Sequence, residues 1–349
     1  MNAYEFVEAL LVFNTACKSK KTIIINTHSG MELIKNIRIK HFKSLEDVEI
    51  KGCHRYNIFV GRPNVGKSNI LEALTMFALP YMGGTHFSLP DFLRMERNTA
   101  SLFFNGDVSK KIEITAGSHH FLLEHKSDNQ VRFNTGGEDF SMVDLMVEQA
   151  ADKYPIFKPY YYGKKSSASQ INMPFLCPIV GENLMQVVKN NNELRAEITS
   201  LLANYGLKLA LDTVNQKLMV MKPLDADTSC VIPYDAMADS LKRLVFYKAA
   251  IMSNTQSVLV MEEPEAHSYP PYIVKVIQTM LEADSNQYFI TTHSPYVINE
   301  FLENKADVAI FLTDFVNGQT RIRALNDNEL QQIYEDGIDL FFNTEFFEV

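Results

Sequence analysis

Residues Gly61-Arg62-Pro63-Asn64-Val65-Gly66-Lys67-Ser68 match the pattern G-x-x-x-x-G-K-[ST] without a mismatch. Such a loop wraps phosphate oxygens with its backbone N–H groups, and its glycines permit the close approach. Lys67 is expected to reach the β- and γ-phosphates, and the Ser68 hydroxyl to ligate Mg²⁺. The loop residues Gly61 through Ser68, with Asn69 behind them, are the candidate nucleotide contacts. Far downstream, Glu262-Glu263 could supply the other half of the chemistry. The first carboxylate suits the Mg²⁺ shell, and the second suits a base acting on an attacking water. His293 could hydrogen-bond the γ-phosphate or that water.

Each group needs a strand to hold it. Tyr56-Asn57-Ile58-Phe59-Val60 precedes the loop as a buried strand, and Ile70, Leu71, Leu74 and Phe77 follow it at helical spacing. Ser257 to Met261 is an apolar run ending in the two glutamates. Gln287 to Thr292 is another, ending at the histidine, and a helix over Tyr272–Leu281 lies between them. Polar motifs at strand tips with helices between describe an α/β sheet that places its chemistry at the strands' C-terminal ends.

The rest of the chain reads less evenly. Residues 1–30 form an extension with one short amphipathic stretch, Phe6 to Phe13, and an apolar run, Ile23-Ile24-Ile25. Residues 37–51 alternate as a hairpin around His41-Phe42-Lys43-Ser44. Leu102-Phe103-Phe104 and three runs within 111–133 predict an antiparallel meander. Helices are expected over about 141–151 and 182–204, then a hairpin around Asn215-Gln216, then a helix from Ala238 to Met252. The stretch Lys153 to Lys165 interleaves lysines with tyrosines, a composition that can stack bases. A loop packing its tyrosines on a neighbour is the favoured reading. No long heptad repeat marks a coiled-coil arm.

The chain has 349 residues, 46% hydrophobic and 21% charged, with net charge −9, which describes a globular protein of one large or two ordinary domains. That charge gives no electrostatic case for nucleic acid across the whole surface, although a local basic groove stays open. Cys17, Cys53, Cys177 and Cys230 are scattered without a C-x-x-C pair, which suits reduced thiols. No apolar run has membrane-spanning length, and Glu5 and Glu8 sit where a secretory signal carries positive charge. A cytoplasmic location without membrane contact is the expectation.

Taken together, Phe42-Lys43-Ser44, GRPNVGKSNILEAL, VLVMEEPEAH and FITTHSPYVI resemble an ABC-type ATPase head of the RecF, SMC and OLD-like group. The resemblance covers roughly 31–315. It implies a P-loop NTPase of α/β class, with a mixed sheet core, an antiparallel β lobe and a helical lobe. The implied divisions are a phosphate-loop half over 31–140, a mainly helical lobe over 141–255, a carboxylate and histidine half over 256–315, and a tail over 316–349. ATP and Mg²⁺ are the implied cofactors, and Lys43 joins the implied nucleotide contacts. Glu262-Glu263 stands where the group usually has Asp-Glu, as in its OLD-like branch. The group's signature, roughly S-x-G-x-x-R, is altered in Ala238-Asp239-Ser240-Leu241-Lys242-Arg243, where Ser240 replaces the glycine. The resemblance further implies a head-to-tail dimer or higher oligomer closed by ATP, with Ser240 touching the opposing phosphate. No Toprim nuclease domain is found, so the chain resembles the stand-alone ATPases that work with a separately encoded effector, several in bacterial anti-phage defence. A DNA-end-binding repair ATPase and a non-hydrolysing ATP-dependent scaffold are the alternatives. The group's glutamine loop is not located; Gln130 is one candidate.

A rival reading is a GTPase, because Asn304-Lys305-Ala306-Asp307 matches the guanine-reading N-K-x-D. The two motifs stand more than twice as far apart as that fold places them, with no D-x-x-G between. Asn-Lys after a helix is also an ordinary helix stop.

Overall fold

Alternation along the central strands builds two cores, one on each face of a single sheet. On β3 (Tyr56–Val60), Phe59 enters one core while Tyr56, Ile58 and Val60 enter the other. β13 (Val258–Glu262) does the same with Val258 and Val260 against Leu259 and Met261. β14 (Gln287–Thr291) and β15 (Val308–Val316) repeat the division. Strands covered on both faces have no polar side to show, which is why these runs are mostly apolar, with only isolated polar residues such as Asn57 and Gln287. The computed structural model describes residues 31–82, 88–96, 98–127, 130–151, 154–163, 173–343 and 347. The chain divides into two compact units, Met1–Gly30 and Met31–Val349, and every described residue belongs to the second.

The central sheet has the order β16-β15-β3-β14-β13-β9, where β9 is Phe157–Tyr160 and β16 is Gln319–Ala324. All its pairs are parallel except β15 with β16. The strands that end in the phosphate loop, the histidine turn and the glutamate turn are therefore adjacent, with their C-terminal tips at one edge. One core is closed by an antiparallel sheet of β1 (Asn36–Phe42), β2 (Leu45–Lys51), β4 (Ile112–Ala116), β5 (His119–Ser127), β6 (Gln130–Thr135), β7 (Glu138–Val143) and β8 (Met146–Val147), in the order β2-β1-β4-β5-β6-β7-β8. Helix α1 (Lys67–Thr75) sends Ile70, Leu71 and Leu74 into the same core. The second core lies under α2 (Leu184–Asn190), α3 (Asn192–Ala203), α4 (Asp239–Met252), α5 (Pro270–Glu282) and α6 (Pro295–Glu303). A separate sheet of β10 (Lys208–Asp212), β11 (Lys217–Pro223) and β12 (Ser229–Pro233) buries Leu218 and Val220 in that core.

Several local expectations change. Residues 141–151 are not a helix; β7 (Glu138–Val143) turns through Asp144 and Leu145, both at positive φ, into β8. Phe140 and Met142 already alternate inward there, and pairing with β6 (Gln130–Thr135) decides the conformation. Leu102-Phe103-Phe104 is not a strand but falls across two short 3₁₀ turns, opened by Asn98 accepting from the Ala100 N–H. The segment 182–204 breaks in two at Asn191, whose side chain caps α3 through the Leu194 N–H. Gln130 sits in β6 of the antiparallel sheet, paired with Val143, and not at a tip of the central sheet. β16, expected in a tail, is instead a strand of the central sheet. The amphipathic stretch at Phe6–Phe13, the run at Ile23–Ile25, and Lys153, Lys164 and Lys165 lie outside the described residues.

The packing reading holds for Tyr160, which is fully buried and donates to the Leu176 carbonyl at 2.7 Å, and in part for Tyr161 and Tyr162, which are half-buried, whereas Tyr154 is exposed. Beside Tyr160, Lys158 is buried too, donating to Asn254 Oδ1 at 2.7 Å and Ser257 Oγ at 3.0 Å, with the Phe175 ring centroid 3.6 Å away. Burial lowers this ammonium to about 8. The unfolded chain keeps the proton to about 10.4, so above pH 8 the unfolded state binds more protons and folding gains as pH rises. The melting temperature of the parent protein should therefore climb relative to Lys158→Met between pH 8 and about 10. A flat difference across that window would show that the ammonium is not held in a low-dielectric site.

Candidate nucleotide site

The phosphate loop runs from the tip of β3 into α1, and tertiary contacts allow only glycine at both its ends. Gly66 caps α1 with φ 98°, and a Cβ there would lie 2.1 Å from Thr320 Oγ1 and 2.7 Å from Ser44 Oγ. A Cβ on Gly61 would lie 2.2 Å from the Thr313 carbonyl oxygen. Asn64 also takes a left-handed conformation, φ 63°. The loop is thus pressed against β15 and β16, and Thr320 donates to the Val65 carbonyl at 2.9 Å. Arg62 and Pro63 are exposed on its outer side, whereas Val65 is buried.

Lys67 folds back over the loop, donating to the Gly61 and Arg62 carbonyls at 2.8 and 2.7 Å. Burial lowers its ammonium to about 8, against the opposing pull of Glu263 and Glu262. The Ser68 hydroxyl donates to Glu262 Oε1 across a sequence gap of 194 residues. Asn69 turns away from the loop and donates to Ser44 Oγ at 2.7 Å. Lys43 is not brought to the loop: it pairs with Glu72 of α1 and donates to the Arg94 carbonyl.

Glu263 follows its strand in a left-handed turn, φ 41°, held by its N–H to the Thr291 carbonyl at 3.0 Å. That turn aims its carboxylate at the next strand's tip, where His293 Nε2 lies 3.4 Å from Glu263 Oε1. Burial first, and Lys67 second, hold the imidazole below its ordinary range, with Glu263 pulling the other way. The imidazole is therefore neutral at pH 7. Ser240, in the first turn of α4, donates to the His267 carbonyl at 3.2 Å, which sets the altered signature segment beside the glutamate turn of its own chain. Asp239 next to it is paired with Arg243 at 3.0 Å and accepts from Tyr162.

The N-K-x-D fragment lies at the other end of the sheet. Asp307 accepts from the Arg55 N–H, and its own carbonyl accepts from the Tyr56 N–H at the start of β3. A five-residue strand spans about 16 Å, so Asp307 cannot read a base held at the loop.

The chain matches the AAA ATPase domain over residues 31–209. It belongs to that family. A relative from Helicobacter pylori described as an ATP/GTP phosphatase is 23% identical, covering 90% of this chain and 99% of its own length. The DNA replication and repair protein RecF of Streptococcus gordonii is 31% identical over 105 residues, 28% of each chain. A structure of an SMC head bound to the C-terminal winged-helix domain of ScpA superposes with a TM-score of 0.50 at 14% identity, covering 86% of this chain and all of the other. That likeness carries the fold. The family match makes the chain an ATPase, with a fold like that of an ABC-type SMC head.

Three residues of this ATPase site carry no motif in the sequence. Arg94 contacts both candidate metal ligands, donating to Ser68 Oγ at 2.9 Å and lying 2.5 Å from Glu262 Oε1. Glu265 ties the glutamate turn to the histidine turn: its Oε1 accepts from Thr292 Oγ1 at 2.6 Å and from the His293 N–H at 2.8 Å. Burial holds this carboxyl above the ordinary range. Thr320 buttresses the loop from β16, and Ser44 reaches the same hydroxyl at 2.6 Å. Only Glu265, inside the apolar-strand-plus-EEPEAH run, stood where the sequence could have pointed.

Proposed function

We propose that this ATPase binds MgATP on residues 61–68, hydrolyses it with Glu263 as base, and closes head-to-tail with a second copy around the nucleotide. The Glu263–His293 pair at 3.4 Å, on adjacent strand tips beside the loop, is the observation that carries the hydrolytic reading. Glu263 takes a proton from the attacking water, and the neutral His293 orients that water or the γ-phosphate. Ser68 and Glu262 fit Mg²⁺, since they converge as a hydroxyl and a carboxylate oxygen, the hard donors this ion takes. The bound ion would neutralise charge developing on the β- and γ-phosphates. Lys67 supplies a buried charge on the other side of the loop.

Closure rests on the placement of α4. Its N-terminus meets the His267 carbonyl, so the phosphate site and the Ser240 segment lie near one another on the chain. A second copy related by a two-fold axis could then bring each Ser240 to the other's nucleotide. The pairing of Asp239 with Arg243 reduces the repulsion that Asp239 would offer an incoming phosphate. ATP favours the closed dimer and hydrolysis releases it, giving a separately encoded effector a two-state signal in the cytoplasm, in the manner of the OLD-like anti-phage ATPases the chain resembles.

Sedimentation of Glu263→Gln tests closure. MgATP should double its mass, and adding Ser240→Arg should block that while leaving ATP bound to the monomer. An unchanged mass with MgATP, or equal closure with Ser240→Arg, ends the dimer reading. The RecF relatives support the DNA-repair alternative. Against it, the antiparallel sheet pairs off basic residues: Arg38 with Asp47, Lys40 with Glu113 and Arg132 with Asp139. Binding to duplex ends that falls steeply with salt would favour it instead.

A further inference from the structure

The Arg94 side chain has an unusual mounting for an exposed residue. Its backbone is gripped on both sides: the N–H donates to Glu72 Oε1 at 2.9 Å, and the carbonyl accepts from Lys43 Nζ at 2.8 Å. Those two groups are themselves an ion pair, with side chains only 3% and 10% exposed. Burying such a pair is costly unless its remaining hydrogen-bond positions are filled, and here the Arg94 peptide groups fill some of them. Leu93 and Phe92, just before it, are buried. The guanidinium beyond this anchor is 66% exposed and borders a cleft of about 530 Å³ that also touches Glu262, Glu263, Tyr161 and Tyr162. A fixed backbone with an exposed charged head is the anatomy of a tether.

The head lands on the two oxygens assigned to the metal, Ser68 Oγ and Glu262 Oε1. Mg²⁺ needs a lone pair from each at about 2.0–2.1 Å in near-octahedral geometry. Glu262 Oε1 accepts from both the Ser68 hydroxyl and the guanidinium, which fills its two lone pairs, so a metal can take that oxygen only when one of them leaves, and a cation on the lone pair left to Ser68 Oγ would lie against the like charge of the arginine. The guanidinium can withdraw into the cleft while its backbone stays in place.

We propose that Arg94 is a tethered cation that shares the Ser68–Glu262 seat with the catalytic metal, and that Lys43 and Glu72 exist to hold it there. The metal site is thereby charge-compensated before Mg²⁺ arrives, and MgATP must displace the arginine to load. This also assigns Lys43 a purpose other than touching nucleotide. The inference rests on the reading of Ser68 and Glu262 as metal ligands.

The test titrates Mg²⁺ against the full chain at fixed fluorescent ATP analogue and reads binding by anisotropy, with no turnover needed. Arg94→Gln removes the charge at an exposed position and should lower the Mg²⁺ midpoint for nucleotide binding threefold or more. Lys43→Met, which loosens the mount, should shift it the same way by less. Ser68→Ala is the control for the seat and should flatten the Mg²⁺ dependence. If Ser68→Ala flattens it but Arg94→Gln leaves the midpoint in place, or instead weakens binding at saturating Mg²⁺, the shared-seat inference is overturned and the metal reading stands. If Ser68→Ala has no effect on a Mg²⁺-dependent parent, the metal reading falls and takes the inference with it.

Discussion

Glu263→Gln should leave MgATP bound and cut turnover by about 10²–10⁴-fold, the range that a positioned general base contributes. The backbone predicts that binding survives. The Glu263 turn is held by main-chain contact with the Thr291 carbonyl, which the substitution does not touch. Glutamine keeps the side chain's size and can still accept a hydrogen bond, so His293 retains a neighbour at the distance of 3.4 Å. What goes is the capacity to take a proton from water. Equilibrium binding and single-turnover hydrolysis, measured side by side, separate the two effects. Normal turnover in Glu263→Gln would falsify the base assignment and move attention to the buried Glu265.

Lys67→Ala should raise the Kd for ATP about ten- to a hundredfold, since a charge-assisted contact is worth about 1.5–3 kcal/mol. Lys67 is only 5% exposed, and its ammonium is aimed at two carbonyls of its own loop, Gly61 and Arg62. It therefore does two jobs, presenting charge to phosphate and tying the loop's start to its end. Removing it leaves both carbonyls short of a donor, so the loop should loosen as well. Calorimetric titration with ATP gives the affinity directly. An affinity equal to the parent's would remove the phosphate-loop assignment, whatever the sequence pattern says.

The lesson about reading the chain divides along contact range. Where a segment's own residues decide its conformation, sequence was sufficient. The runs at 56–60, 257–261 and 287–292 are mostly apolar because both faces of their sheet are covered, and polar residues within them, such as Asn57, Ser257 and Gln287, are buried with hydrogen-bond partners. Their polar endings marked the site. The segment 141–151 failed for the complementary reason: its apolar residues fit either period, and only pairing with β6 selected a strand. Asn191 ended a helix through a cap whose strength depends on where α2 and α3 dock.

Sequence by itself pointed to the loop, the pair of glutamates, the histidine, and the strands that end in them. These are local facts, a glycine pattern or an apolar run with a polar end. Tertiary structure alone decided what completes the site. Arg94 reaches Ser68 over 26 residues, Thr320 reaches Val65 over 255, and Lys43 is diverted to Glu72 over 29. A lone arginine, threonine or lysine carries no spacing rule, so its role is invisible until the sheets bring its partner within hydrogen-bond range. The physical reason is that a hydrogen bond or ion pair depends on distances of about 3 Å in space, and chain separation of this length says nothing about those.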